Sequence, residues 1–320
     1  MTYNKKFTVL SCIMGALALM YILTIIFDPE RVSSRSDAYS WLEPAQIDKI
    51  SGITIAKSDE TISLVRNGGK WFVSHNGKDY PARNTRIEDF IAALSKRAPY
   101  PVRSSSASAH ERLSLTPGQA VRVTVTAGAG LPLLDLLIGQ GDLTGQNVYL
   151  RGQGQNEVRS GEDIFTSYTG AALNSWYNLR LFPEAENGKL PNVQRLTVYH
   201  PSSNDVPNAP PQIITRSGKA WTFNFELSNP DMAQVENYVN NIINISGDDF
   251  VDYIAPSDPS FNNSRIVLEL GDGTIRTIRF TPSEENGGLL AAVSGSDWVY
   301  SIPGWAGERL FVDTDFFETD

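Results

Sequence analysis

Three histidines, His75, His110 and His200, are the residues best suited by type to bind a metal or move a proton. Their spacing does not support a metal: none stands in a ligand-spaced pair such as H-x₃-H, and the single cysteine, Cys12, lies in an apolar stretch. No zinc site is expected. Two groups of carboxylates come next, Asp248, Asp249 and Asp252, then Asp313, Asp315, Glu318 and Asp320. Calcium would accept such oxygens, but neither group has the D-x-[DN]-x-[DN]-G loop with a distal Glu. Solvated charge is expected of both. The runs Gly139-Gln140-Gly141 and Gly152-Gln153-Gly154 lack the strand-to-helix setting and third glycine of a phosphate cradle, so they read as hairpin turns. With no nucleophile elbow or P-loop either, no catalytic, cofactor-binding or metal-binding residue is assigned. The chain is expected not to be an enzyme.

Aromatic residues remain as a lead, because Trp and Tyr combine a large apolar area with a polar handle. Trp176, Tyr177 and Trp305 are the candidate partner-binding residues. Trp71 and Trp221 end paired hairpins and are expected in the core instead.

Stepping from side chains to the elements that hold them, 320 residues with 41% hydrophobic content suffice for two domains of ordinary size. The formal charge is −9, and every acidic residue follows Phe27. Such a surface repels nucleic acid, so no nucleic-acid partner is expected. From Phe7 to Phe27 there are 21 residues without a charge; a membrane-crossing helix needs roughly 20. Lys5 and Lys6 precede the stretch and Asp28, Pro29 and Glu30 follow it. The positive-inside bias then puts the N-terminus in the cytoplasm and the rest outside. A retained anchor is favoured over a cleaved signal, since only Val32-Ser33-Ser34 resembles a cleavage site. Lipidation at Cys12 is disfavoured, because the apolar run continues far beyond it.

After a polar stalk the chain repeats its pattern. A strand at Ile50 to Ala56 has its counterpart at Val193 to Tyr199. Hairpins follow, one turning at Asn67-Gly68-Gly69 before Trp71, the other at Ser217-Gly218 before Trp221. Ile87, Phe90, Ile91 and Leu94 then form an apolar helical stripe, as do Val235, Tyr238, Val239 and Ile242. Thr85-x-x-Glu88 is expected to cap the first helix, and Asn229 with Pro230 the second. Alternating strands at Val121 to Val125 and Ile266 to Leu270 lead into further hairpins. The expected class is α+β: an N-terminal transmembrane helix, then two tandem repeats of a mostly antiparallel sheet with packed helices. The divisions are 1–6 cytoplasmic, 7–27 transmembrane, 28–45 stalk, 46–183 first repeat and 184–320 second repeat.

This order resembles the bacterial domain-of-unknown-function 4340 family. The resemblance lies in the anchor, the phrase Ile47-Asp48-Lys49-Ile50-Ser51-Gly52-Ile53-Thr54-Ile55, the hairpin ending Lys70-Trp71-Phe72-Val73, the helix after Pro81, and Asn178-Leu179-Arg180-Leu181-Phe182 before the second repeat. Members are often encoded beside permease and ATPase subunits of ABC-type transport systems and a periplasmic partner similar to gliding-motility proteins. The resemblance thus implies an accessory subunit on the bacterial cytoplasmic membrane, with its domains periplasmic or extracellular. It brings no catalytic residue and no cofactor. A second expectation is a periplasmic receptor for glycan or peptide in the cleft between the repeats.

Overall fold

Strands form where apolar and polar residues alternate, and each sheet is anchored on a central pair whose inward side chains are fully buried. The computed structural model describes Met14, Leu17, Met20, Tyr21 and residues 38–183, 192–201, 210–218, 220–262, 264–284 and 287–319. The chain divides into two compact units, Met1–Trp176 and Tyr177–Asp320.

The first unit contains β1 (Ala38–Tyr39), β2 (Ile50–Ala56), β3 (Thr61–Asn67), β4 (Lys70–His75), β5 (Lys78–Pro81), β6 (Ala98–Pro99), β7 (Val102–Ser104), β8 (Val121–Ala127), β9 (Pro132–Gly141), β10 (Asn147–Gly152) and β11 (Val158–Glu162). Nine of these form one sheet in the order β5-β4-β3-β2-β8-β9-β10-β11-β7, while β1 pairs with β6 alone. In the central pair Ile53 faces Val125 and Ile55 faces Val123, and none of the four is exposed. The β3–β4 turn has Gly68 and Gly69 at φ 56° and 81°, a left-handed geometry that glycine adopts without a steric penalty. Helix α1 (Asn84–Ser95) follows β5 and buries Ile87, Phe90, Ile91, Ala93 and Leu94, the predicted stripe. Its start differs from the expected capping box: Arg83 occupies the cap position, with no side-chain cap bond. A distant contact sets that start, for the Arg83 N–H donates to the Trp176 carbonyl at 2.8 Å.

The second unit contains β12 (Val193–Tyr199), β13 (Gln212–Ser217), β14 (Ala220–Phe223), β15 (Asp249–Val251), β16 (Ser264–Leu270), β17 (Ile275–Pro282), β18 (Leu289–Val293) and β19 (Val299–Ile302). Their order is β14-β13-β12-β16-β17-β18-β19-β15. Here Leu196 faces Leu268 and Val198 faces Ile266, again without exposure, so the central register of the first unit recurs. Helix α2 (Met232–Ile243) buries Val235, Tyr238, Val239, Ile242 and Ile243. Asp231, not Asn229, is its cap and accepts from the Ala233 and Gln234 N–H groups at 2.9 and 3.1 Å. Pro230 lies ahead of the helix in a bridge with Glu318. The helix is tied to the hairpin by Glu236, whose Oε2 accepts from Trp221 Nε1 at 2.8 Å while Arg216 Nη2 donates to both of its oxygens at 3.2 Å. The Arg216 guanidinium also lies 4.9 Å from the Trp221 ring centroid.

The α+β class with a transmembrane helix requires correction. The described chain is mostly antiparallel sheet, and no helix among the described residues is long and apolar enough to cross a membrane. Helices α1 and α2 have 12 residues each; at about 1.5 Å per residue that is roughly 18 Å, against a hydrocarbon core of roughly 30 Å. The stretch 7–27 lies outside the described residues apart from Met14, Leu17, Met20 and Tyr21.

Two boundaries also move. Residues at the end of the expected stalk join the first unit: Trp41 and Leu42 are buried, and the Leu42 N–H donates to the Leu94 carbonyl at 3.0 Å. The units divide at 176–177 and not at 183–184, because Leu181 and Phe182 enter the second core. Backbone bonds hold them there, from Leu181 N–H to Ile245 O and from Gly247 N–H to Leu179 O.

Candidate functional site

Small residues around Trp305 bring the backbone close to the sheet and leave the indole outside. The sequence Pro303-Gly304-Trp305-Ala306-Gly307 makes a single helical turn, closed by Ala306 and Gly307 N–H groups donating to the Pro303 carbonyl at 2.9 and 3.0 Å. A Cβ at Gly307 would lie 3.1 Å from Leu289 Cδ1, so the turn sits tight against β18. Leu310, three residues on, is buried, and its carbonyl accepts from the Tyr238 hydroxyl at 2.6 Å. Burial raises the Tyr238 phenol well above its ordinary pKa, so it stays the donor. On this fixed turn Trp305 is 65% exposed, with the Arg309 guanidinium 5.4 Å from its ring centroid. An exposed tryptophan beside an arginine pairs two residue types that are enriched in binding hot spots.

The other two candidates lie inside. Trp176 is 0% exposed, with Phe90 at 5.8 Å, Tyr168 at 6.3 Å and the Arg86 guanidinium at 4.9 Å, all in the first unit. Burial of Arg86 lowers its pKa, the largest effect on that group. The aromatic cage is thus already filled by a cation of the chain itself. Tyr177 is 6% exposed and meets Phe250 edge to face at 5.1 Å. Neither ring is offered to a partner, and both are corrected to packing residues. The glycan or peptide receptor reading drew its motivation from these two side chains and loses it.

The groups tested for chemistry have separate surroundings. His75 ends β4, His110 Nε2 lies 3.0 Å from the Asn156 carbonyl, and His200 in the second unit stacks edge to face on Phe311. Among the described residues no group of three or more His, Cys, Asp or Glu could hold a metal ion. Gly139 and Gly141 belong to β9 and not to a turn, and the Leu113 carbonyl approaches so closely that Gly139 has no room for a side chain. The acidic tail is not wholly solvated: Glu318 Oε1 accepts from the Ser228 N–H at 2.6 Å, and the Asp231 N–H donates to the Phe317 carbonyl at 2.8 Å.

One surface feature escaped the sequence reading. The β9–β10 loop presents Leu143, fully exposed, on a frame built by Asp142. The Asp142 carboxylate accepts from Asn147 Nδ2 at 2.9 Å, from the Thr144 hydroxyl at 2.7 Å and from the Thr144 N–H at 3.1 Å. Bonds from Asn147 and then Thr144 hold its pKa down to about 2. Because the folded value lies below that of a free carboxylate, the ordered loop is favoured above roughly pH 4 and loosens as pH falls toward 2. A carbon-detected NMR titration should place the Asp142 midpoint well below those of the other aspartates. A midpoint near 4, the usual range, would show that these bonds do not form in solution.

The description "domain of unknown function (DUF4340)" belongs to a family model that matches residues 71–263, more than half of the chain. The chain belongs to that family. The DUF4340 match begins at Trp71, crosses the division between the units and ends next to β16, so it draws on both sheets. No curated protein matches the chain, and no solved structure matches it. The DUF4340 description carries no activity, which leaves the exposed surface around Trp305 as the geometry from which to argue function.

Proposed function

We propose that this DUF4340 protein is a non-enzymatic interaction module of the bacterial envelope, an accessory subunit that assembles with permease and ATPase subunits of an ABC-type transport system. The observation that carries the reading is Trp305, 65% exposed on a turn whose backbone is fixed and flanked by Arg309. Trp and Arg are the residue types that most often dominate binding energy, and a backbone already ordered at that point has no chain entropy left to lose on binding. Location at the cytoplasmic membrane, with both units on the outer side, belongs to the same proposal. It is supported by the uncharged residues from Phe7 to Phe27 behind Lys5 and Lys6.

The test is co-purification of the tagged full chain after mild detergent extraction, with Trp305→Ala as the comparison. The wild-type chain should recover ABC-type permease or ATPase subunits. The variant should recover them at least about 10-fold less, since losing a hot-spot aromatic costs about 2 kcal/mol. Reproducible recovery of the chain alone, or equal recovery by the variant, overturns the proposal.

A further inference from the structure

Strand registers bring the point where the chain enters the first unit to the same end of the sheet as an apolar tip. Asn147 faces Glu162, so the β9–β10 loop and the residues that follow β11 share that end. The Asp163 N–H donates to the Gln146 carbonyl at 3.0 Å and ties the two together. Helix α1 finishes there as well, since Lys96 Nζ lies 3.7 Å from Glu162 Oε2. Beside it the Arg97 Nε donates to the Ala38 carbonyl at 2.9 Å. Ala38 opens β1 and faces Pro99, and it is the entry of the chain into the unit.

The exposed apolar side chains of the unit gather at this end. Within residues 38–176 Tyr39, Leu143 and Ile164 lie here, while Leu131 stands at the opposite end of β9 and Val102 on the edge strand β7. A lone surface leucine is ordinary. Leu143, however, is fully exposed over a backbone that Asp142 fixes, the carboxylate accepting from the Thr144 N–H and from Asn147 Nδ2. Lys96 and Arg97 set two exposed cations against the carboxylates of Asp142, Glu162 and Asp163, so the rim carries both signs. The length of chain ahead of the unit decides what this end meets. Residues 28–37, ten in all, separate the uncharged stretch ending at Phe27 from Ala38; whatever their conformation they reach at most about 36 Å. The ten residues of β9 hold Leu131 and Leu143 apart, at a separation of about 30 Å. With the uncharged stretch in a bilayer the entry end lies nearest the lipid, and turning the opposite end toward it would take almost the whole reach of the connection.

We propose that the entry end of the first unit docks on the lipid bilayer from which the chain emerges. Leu143 and Ile164 insert at the boundary between headgroups and acyl chains, and Tyr39, apolar in body with a polar tip, sits at headgroup level. Apolar area drives the docking, and the mixed charge of the rim makes it independent of anionic lipid. This docking rests on the membrane location proposed above and adds to it the face that meets the lipid. None of the residues around Trp305 takes part.

The test uses the full chain in phosphatidylcholine nanodiscs. Cys12→Ser removes the native thiol, so that a fluorophore can be placed by Leu143→Cys or, at the other end of β9, by Leu131→Cys. A nitroxide on the upper acyl chain of the lipid should quench the fluorophore at 143 at least about 3-fold more strongly than at 131, because insertion reaches only about 5–10 Å and β9 holds the sites about 30 Å apart. A fluorophore placed by Ile164→Cys leaves Leu143 itself in position. Its quenching should fall about 2-fold or more with Leu143→Asp and persist with Leu143→Phe. Quenching at 131 equal to or above that at 143 overturns the docking, and so does quenching at 164 that ignores Leu143→Asp. A chain that elutes apart from the nanodiscs overturns the membrane location and the docking together, whereas co-elution without quenching at 143 overturns the docking alone.

Discussion

Trp176→Ala should cost the first unit about 3–5 kcal/mol, the range for removing a large aromatic from a packed interior. The indole is fully buried against Phe90 and Tyr168 and under Arg86, so its loss leaves a cavity and exposes a desolvated guanidinium that has lost one of its two aromatic faces. One effect works the other way: the Trp176 Nε1 is buried with no partner among the described residues, and any substitution relieves that. Trp176→Phe separates the two, because it keeps most of the ring and discards the unpaired N–H. It should be much milder than alanine, about 1–2 kcal/mol. Urea unfolding followed by exchange protection of β2 and β8 reads the first unit by itself. An alanine variant that lost under about 1 kcal/mol would mean that the cage is not formed in solution.

For the second unit the largest effect is expected at its far end. Phe317→Ala should cost about 3–5 kcal/mol, although the residue stands in a run rich in carboxylates, between Asp313 and Asp320. Phe317 is 0% exposed and contacts Tyr238 at 5.2 Å, Phe225 at 6.0 Å and Phe223 at 6.4 Å. Its neighbours act as backbone fasteners, with Thr319 N–H donating to Asn229 O and Asp231 N–H to Phe317 O. Replacement of the exposed Asp315 by alanine is the control and should change stability by under about 0.5 kcal/mol. Denaturant midpoints monitored through β12 and β16 decide the matter. Equal stability of the two variants would return the tail to solvent.

Local rules made much of the scaffold legible. The apolar stripes at Ile87 to Leu94 and Val235 to Ile242 and the hairpin turns at Gly68-Gly69 and Ser217-Gly218 are statements about neighbours in sequence, and they transfer to the structure, whereas Gly139 and Gly141 belong to β9. Elements set by distant contacts were not legible. Lys78-Asp79-Tyr80-Pro81 has the composition of a turn and becomes β5 only because Val73 is there to pair with Tyr80. Both helix caps fell two residues from the expected ones, because Trp176 fixes Arg83 and the acceptor geometry suits Asp231 better than Asn229. The candidate site divided in the same way. Trp176 and Trp305 are the same residue type, and what separates them is the Gly304-Trp305-Ala306-Gly307 setting, whose small side chains let the backbone approach the sheet and leave a large ring no room beneath it.

The matching central registers of the two sheets carry a consequence for how the chain reaches this state. β2 closes against β8 across a long stretch of sequence, and β12 does the same against β16, so both sheets are slow, high-contact-order assemblies. A nascent chain holds β2 ready before its true neighbour has emerged, and a half-formed second sheet offers β16 with the same alternation and the same spacing. Exchange of strands between tandem copies is the characteristic trap of such repeats. Of these central pairs only Leu196–Leu268 departs from the isoleucine–valine pairing of the others, so side-chain type at the seam does little to tell the wrong strand from the right one.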